Sequence, residues 1–181
     1  MAIENERKIV LFGLKEEHFD DEWTRLDVTQ GYLRSNRIRR AVYSTGAERY
    51  WFTAKHVFED EVFEYEMEMP RAEFEKLITI ADNIVVKTRF TKKFGYDTWD
   101  VDFFGGTEDP YFVMAEVEMR PRQVDFNQAP TIIAACDWYR VENGDKRFTS
   151  KKLSDREHAA QMLAEIQVVI SLSLTMVKST L

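Results

Sequence analysis

Cysteine is almost absent: Cys136 stands alone in 181 residues, which excludes an internal disulfide, a cysteine metal cluster and a paired redox motif. Set beside Ile132, Ile133, Ala134 and Ala135, it reads as an inert core thiol. Histidine is scarce too. His18, His56 and His158 are the whole supply, each reading as a surface or packing residue, and no Ser-His-Asp or Cys-His grouping points to a covalent nucleophile. The chain lacks a Gly-rich phosphate loop, a Pro/Gly/Ser linker, an internal repeat and a low-complexity tract. With 44% hydrophobic content, residues 1–181 are expected to form a single domain with a sizeable core. No basic segment followed by an apolar run opens the sequence, and the apolar tail "MLAEIQVVISLSLTMV" is interrupted by Glu165, Gln167 and serines. A soluble, unexported, cytoplasmic protein without a membrane segment is the expectation. A net charge of -7 speaks against an extended nucleic-acid surface but leaves room for a local basic pocket.

What the sequence does have is strands. Runs rich in β-branched and aromatic residues recur at 2–12, 29–43, 48–56, 61–69, 84–91, 97–104, 111–120 and 131–141. "PRAEFEKLITIADN" predicts a helix that opens at Pro70 and gathers Phe74, Leu77, Ile78 and Ala81 on one face. A C-terminal helix is predicted from Ser154, with Glu157 completing a capping box, and a weaker helical turn over "KEEHFDDEW".

Alternation on these strands is unusual. In "AIENERKIVLF" Glu4, Glu6 and Lys8 share a face; Glu64 with Glu66, Asp100 with Asp102 and Glu116 with Glu118 repeat the pattern. Arg37 with Arg39, Lys55, and Lys87 with Arg89 do the same for bases. Two architectures suit such strands. In one, the apolar face is the core and the charged face meets water. In the other, the sheet closes with the charged face inside and the helices cover apolar outer positions, which requires the charges to be paired, solvated or neutralised by ligands. Signs segregate by strand, whereas a solubilising surface intersperses them. Periodicity alone leaves both architectures open.

Read in order, the short motifs resemble a known family. Glu4-Asn5-Glu6-Arg7-Lys8 is similar to the ExExK signature of the CYTH superfamily, the triphosphate tunnel metalloenzymes. "QGYL" at 30–33, Arg37-x-Arg39, "TAK" at 53–55, "EYE" at 64–66, "KTRF" at 87–90, "VDFF" at 101–104 and "EVE" at 116–118 follow in that family's order. The resemblance implies a mainly β, α+β fold: a closed antiparallel barrel of about eight strands, a charged tunnel inside, helices packed outside and a C-terminal helix. It implies that Glu4, Glu6, Glu116 and Glu118, helped by Glu66 and Asp102, hold Mg²⁺ or Mn²⁺. Lys8, Arg37, Arg39, Lys55, Arg89 and Arg147 would bind phosphates, and Tyr32 and Lys87 would work around an attacking water. All-oxygen ligands suit those hard cations rather than zinc.

One region departs from the family's pattern. Where a Glu-Val-Thr element, a basic-aromatic pair and an Asn are usual, the chain reads "AACDWYRVENGDKRFTSKKLS". Arg147-Phe148 resembles the pair, Ser150 stands for the Asn, and Asp137 or Glu142 could replace the carboxylate. The implied activity is metal-dependent hydrolysis of the terminal phosphate of a small triphosphate: tripolyphosphate, thiamine triphosphate, or a nucleoside or RNA 5′-triphosphate. A class IV-type adenylate cyclase and a non-catalytic polyphosphate-binding module are the alternatives. The partner implied is a small-molecule substrate, and a homodimer through an outer face or the long C-terminal helix is compatible with the sequence.

Overall fold

The computed structural model describes residues 2–3, 5–58 and 61–178. Among them one antiparallel sheet dominates, built from ten strands: β1 (Ala2–Ile3), β2 (Glu6–Phe12), β3 (Thr24–Leu33), β4 (Asn36–Tyr43), β5 (Glu48–Phe58), β6 (Glu61–Glu68), β7 (Asn83–Phe94), β8 (Asp97–Phe104), β9 (Phe112–Glu118) and β10 (Asp137–Arg140). Their order across the sheet is β1-β6-β5-β4-β3-β7-β8-β9-β2-β10. Hairpins account for most neighbours, as the alternation predicts.

The sheet is strongly curled, and its two ends are joined by the chain itself. Ile3 pairs with Phe63 on β6, while Glu6 pairs with Glu118 on β9. Three residues of extended backbone span at most about 10 Å, so β6 and β9 approach each other there. Hydrogen bonds do not complete the expected closed barrel. Among the described residues no pairing joins β2 or β10 to β6; β10 instead lies along the free side of β2, Trp138 opposite Leu11.

Outside the curl, apolar residues are covered by loops and two helices. Ile9, Leu11, Phe90, Trp99, Val101, Phe103, Ala115 and Val117 pack beneath Leu14, Trp23 and Ile133. Helix α1 (Arg71–Leu77) follows Pro70, runs on as a tighter turn over Ile78–Ile80, and lays Phe74 against Ile38 and Tyr50. Its close approach explains Gly31 in mid-strand: a Cβ there would stand 2.6 Å from Ile78 Cδ1 and 2.9 Å from Ala81 Cβ.

Four expectations are corrected by local physics. The 29–43 run is two strands hinged at Arg34-Ser35, with Arg34 at φ +58. The 131–141 run begins instead as a short helix, α2 (Thr131–Ala134), because Pro130 fixes its entry, and only Asp137–Arg140 pairs as a strand. The last helix, α4 (Arg156–Lys178), is capped by Asp155, whose carboxylate accepts from the backbone N–H of Glu157 and His158; the Ser154 hydroxyl donates to the Lys151 carbonyl. Nor do all helices lie outside. The α3 turn (Ser150–Leu153) and α4 place Leu153, Ala159, Met162 and Ile166 against Val10, Val85, Phe104, Phe112 and Met114. Those strand residues share parity with Lys8, Lys87, Asp102 and Glu116, so these helices cover the apolar end of the concave face. Among the described residues no helix is long and apolar enough to cross a membrane.

Candidate functional site

The curl resolves the choice that periodicity leaves open: the alternating charges face inward. One cavity of about 810 Å³ is lined by Glu6 and Lys8 of β2, Tyr32 of β3, Arg37 and Arg39 of β4, Glu64 and Glu66 of β6, Lys87 and Arg89 of β7, and Glu116 and Glu118 of β9. Asp102 lies behind this wall, bonded to Lys87 and Arg89. Glu4 and the side chain of Lys55 lie outside the described residues; the Lys55 backbone stands opposite Glu64. Arg147 turns away from the cavity, its guanidinium 2.7 Å from Asp145 and 3.0 Å from Glu165 on the surface. Of the two carboxylates weighed for the departing region, Glu142 is on the cavity wall, whereas Asp137 is exposed on β10 opposite Phe12.

Burial is deepest where β7, β8 and β3 meet. Asp102 is 0% exposed and Lys87 2%, and the Lys87 ammonium lies 2.5 Å from an Asp102 oxygen. Arg89 forks onto the same carboxylate, Nε to Oδ1 at 2.6 Å and Nη2 to Oδ2 at 2.7 Å, and also bonds Asp100 and Glu116. Burial, then the Arg89 charge, pushes the Lys87 ammonium down to about 8, even though Asp102 pulls the other way. Burial opposes the charge on Asp102, yet Arg89 and Lys87 hold its carboxyl below the ordinary range. Tyr32 accepts at 2.7 Å from the amide of Gln30, itself 1% exposed, and burial pushes its hydroxyl up to about 12.

Across the cavity the arginines are only half satisfied. Arg37 Nη2 donates to Glu64 at 2.7 Å and Arg39 Nη2 to Glu66 at 2.7 Å, while the buried Nε of each lacks a described acceptor. Trp51, 5.2 Å from the Arg39 guanidinium, steadies its plane. Burial and then the neighbouring Arg37 lower the proton affinity of Arg39. Two guanidiniums side by side on one cavity wall suit a multivalent oxyanion.

The opposite wall has the complementary problem. Glu6 stands directly across the ladder from Glu118, and Asp100 across from Glu116, like charges that repel at this spacing. Lys8, 2.9 Å from Glu6 and 3.4 Å from Glu116, relieves part of this; against the effect of burial, Glu116 and Glu6 raise its ammonium above the ordinary value. Glu118 forms no ion pair among the described residues. Burial first, then Asp100, Glu116 and Glu6, push its carboxyl above its ordinary 4.5, with Arg89 opposing. A hard divalent cation would remove that repulsion, and the donor set of carboxylate oxygens fits one. No three acidic, His or Cys side chains among the described residues already converge as a metal centre.

The raised Glu118 carboxyl makes a test. In the folded chain it takes up its proton at a pH where the unfolded chain has not, so its repulsion is relieved as pH falls toward 4.5 and is in full force above. With EDTA present, Glu118→Gln is expected to melt a few degrees above the parent at pH 7, with the gap narrowing by pH 5. A gap independent of pH would show that Glu118 is not under repulsion.

Sequence reasoning assigned no role to Gln30, Asp100 or Glu64, nor to the cavity residues Arg34, Lys146 and Lys151. Gln30 and Asp100 lie within the motif-bearing strands and share parity with assigned neighbours, which was the available signal.

No family model matches the chain, and no curated protein matches it in sequence. Among solved structures it is distantly similar to the PH1012 protein of Pyrococcus horikoshii, with 14% identity over 66% of this chain and 80% of that one at a TM-score of 0.41. A conserved hypothetical protein of Pyrococcus furiosus gives 17% identity over 65% and 80% at 0.38. A Bacillus halodurans protein, named provisionally for adenylate cyclase, gives 12% identity over 66% and 82% at 0.45.

Proposed function

We propose that this chain is a metal-dependent triphosphatase of the triphosphate tunnel class, working as a single domain around the charged cavity and releasing the terminal phosphate of a small triphosphate. The observation that carries the reading is the division of one cavity into two complementary walls. Arg37 and Arg39 set two guanidiniums side by side on one wall; Glu6, Glu116 and Glu118 crowd together on the other. A polyanion alone would meet the carboxylates, and a cation alone would face the Arg37 and Arg39 charges. A triphosphate with its counter-cations satisfies both.

Arg37 and Arg39 bind and orient phosphate oxygens; Lys8 and Arg89 exchange part of their carboxylate contacts for the same purpose. Glu6, Glu116 and Glu118, with Glu4, would hold Mg²⁺ or Mn²⁺, which would supply charge withdrawal from the phosphates; Asp102, behind the wall, holds Lys87 and Arg89 instead, and Glu66 holds Arg39. Lys87, its ammonium weakened by burial, and Tyr32, held by Gln30, would work together around the attacking water, Lys87 taking its proton once it has lost its own and Tyr32 orienting it. No protein nucleophile is required.

Incubation with tripolyphosphate, thiamine triphosphate and ATP, each with Mg²⁺, Mn²⁺ or EDTA, tests this. Metal-dependent orthophosphate release is expected. Cyclic AMP with pyrophosphate from ATP would replace hydrolysis by cyclisation, and metal-dependent binding without turnover would reduce the site to a binding module.

A further inference from the structure

Behind the cavity wall lies a buried amide that the core does not require. Gln30 is 1% exposed on the concave face of β3. Val28, two residues back on the same face, and Val85, directly opposite on β7, are apolar and as deeply buried. Arg39, opposite on β4, gives its guanidinium to Glu66 instead. A valine or leucine at position 30 would fill this place without the desolvation that an amide costs. Among the described residues the Gln30 side chain makes one hydrogen bond, from its Nε2–H to the Tyr32 hydroxyl at 2.7 Å.

The Tyr32 ring is fixed by other contacts. It packs against the cluster that contains Val10, Phe104 and Leu153, and the Lys151 ammonium lies 5.7 Å over it. What packing leaves free is the direction in which the hydroxyl points its proton. An oxygen that accepts from the Gln30 N–H cannot turn its own proton along that line, so the proton is left for a partner elsewhere. Tyr32 lines the cavity, which is where such a partner would stand. Burial pushes this hydroxyl up to about 12, so at neutral pH the proton is present to be shared.

We infer that Gln30 is a positioning residue whose amide makes the Tyr32 hydroxyl a hydrogen-bond donor to the attacking water, leaving Lys87 as the group that takes the water's proton. The inference rests on the triphosphatase reading of the cavity and deepens it by giving the two side chains separate roles. A water oxygen has two lone pairs: one attacks the terminal phosphorus and the other accepts from Tyr32. One water proton passes to the unprotonated Lys87 amine, and the bond from phosphorus to the bridging oxygen breaks with its electron pair going to the departing group. A Tyr32 that accepted from the water would compete with Lys87 for that proton.

Gln30→Met keeps the length of the side chain and removes the donor. Hydrolysis of tripolyphosphate with Mg²⁺ is compared in the parent, Gln30→Met, Tyr32→Phe and the Tyr32→Phe/Gln30→Met pair. In Gln30→Met kcat is expected to fall about tenfold with KM unchanged, the scale of one oriented hydrogen bond. Once Tyr32 is replaced, Gln30→Met should remove nothing more. Gln30→Leu serves the same comparison if Gln30→Met melts early. A second measurement needs no turnover: the tyrosine Raman doublet distinguishes an accepting hydroxyl from a donating one, and subtracting the spectrum of the matching Phe variant isolates Tyr32. Accepting character is expected in the parent and should be lost in Gln30→Met. A full rate in Gln30→Met, an equal fall with and without Tyr32, or a Tyr32 hydroxyl that accepts no bond in the parent overturns the role of Gln30. A parent that hydrolyses no triphosphate overturns the reading of the cavity, and the role of Gln30 with it, even where the Raman difference is as expected.

Discussion

Replacing Arg89 by alanine is expected to lower the free energy of unfolding of the metal-free protein by about 3–5 kcal/mol at neutral pH, a large part of the stability of a typical domain. The guanidinium ties β7 to β8 and β9 by bonding Asp102 twice, Asp100 once and Glu116 at 3.1 Å. Its own exposure is only 9%, and Asp102 has none. Without it, Asp102 keeps the Lys87 ammonium alone and Asp100 keeps the hydroxyl of Thr91, so buried negative charge is left largely uncompensated. The pH dependence follows from the same geometry. Asp102 has its carboxyl depressed in the parent, so its contribution is present above the ordinary 3.8 and is lost as pH falls below it. In the variant the freed carboxylates protonate instead, and the deficit relative to the parent should shrink as pH is lowered from 7 toward 4. Urea unfolding at several pH values measures this. Arg89→Lys, keeping a charge but not the fork, should fall between the two. A neutral Arg89→Ala would mean that the carboxylates find water or other partners, and that the cavity floor is wetter than its burial indicates.

That buried floor is the part of the protein least legible in its sequence. The alternation in "KTRF", "WDVDFF" and "MAEVE" is plain, and every strand it marks exists. Which way the charged face points is another matter, because it depends on curvature, and curvature here depends on Ile3 reaching Phe63 while Glu6 reaches Glu118. Such pairings join residues far apart in the chain, so no local window contains them. Cross-strand neighbours were equally hidden. That Glu6 would face Glu118 rather than a base is a matter of register. The resemblance to a tunnel family supplied the inward orientation that the pattern could not, although it also suggested a hydrogen-bonded closure that the described residues lack. Arg147 shows the limit from the other side. A basic residue beside Phe148 fits the motif, but Asp145, two residues earlier, captures it first, as a turn carboxylate readily does. Lys146 and Lys151, which do reach the cavity wall, belong to no motif and had no periodicity to announce them.

Changing Glu6 to glutamine is the substitution expected to do most to function and least to the fold. The side chain keeps its shape and loses one negative charge from a wall where Glu118 stands directly opposite. The cost to packing is small, and the contacts it weakens include the 2.9 Å one with Lys8, which retains Glu116 at 3.4 Å. Thermal unfolding in EDTA should therefore be unchanged or slightly improved. Metal-dependent orthophosphate release should drop by about 10³-fold or more, since one hard ligand is lost where charge must be withdrawn from the phosphates. Titration with Mn²⁺ followed by electron paramagnetic resonance separates the causes. If Glu6 is a ligand, Mn²⁺ affinity falls with activity, while binding of the anion to the Arg37 and Arg39 wall persists at raised metal. Glu75→Gln, which removes a surface carboxylate on α1 bonded to Arg71, should change neither property. A Glu6→Gln protein that melts many degrees early would assign the residue to structure through Lys8. One that keeps both its activity and its Mn²⁺ affinity would move the metal to other carboxylates, and with it the division of labour between the two walls.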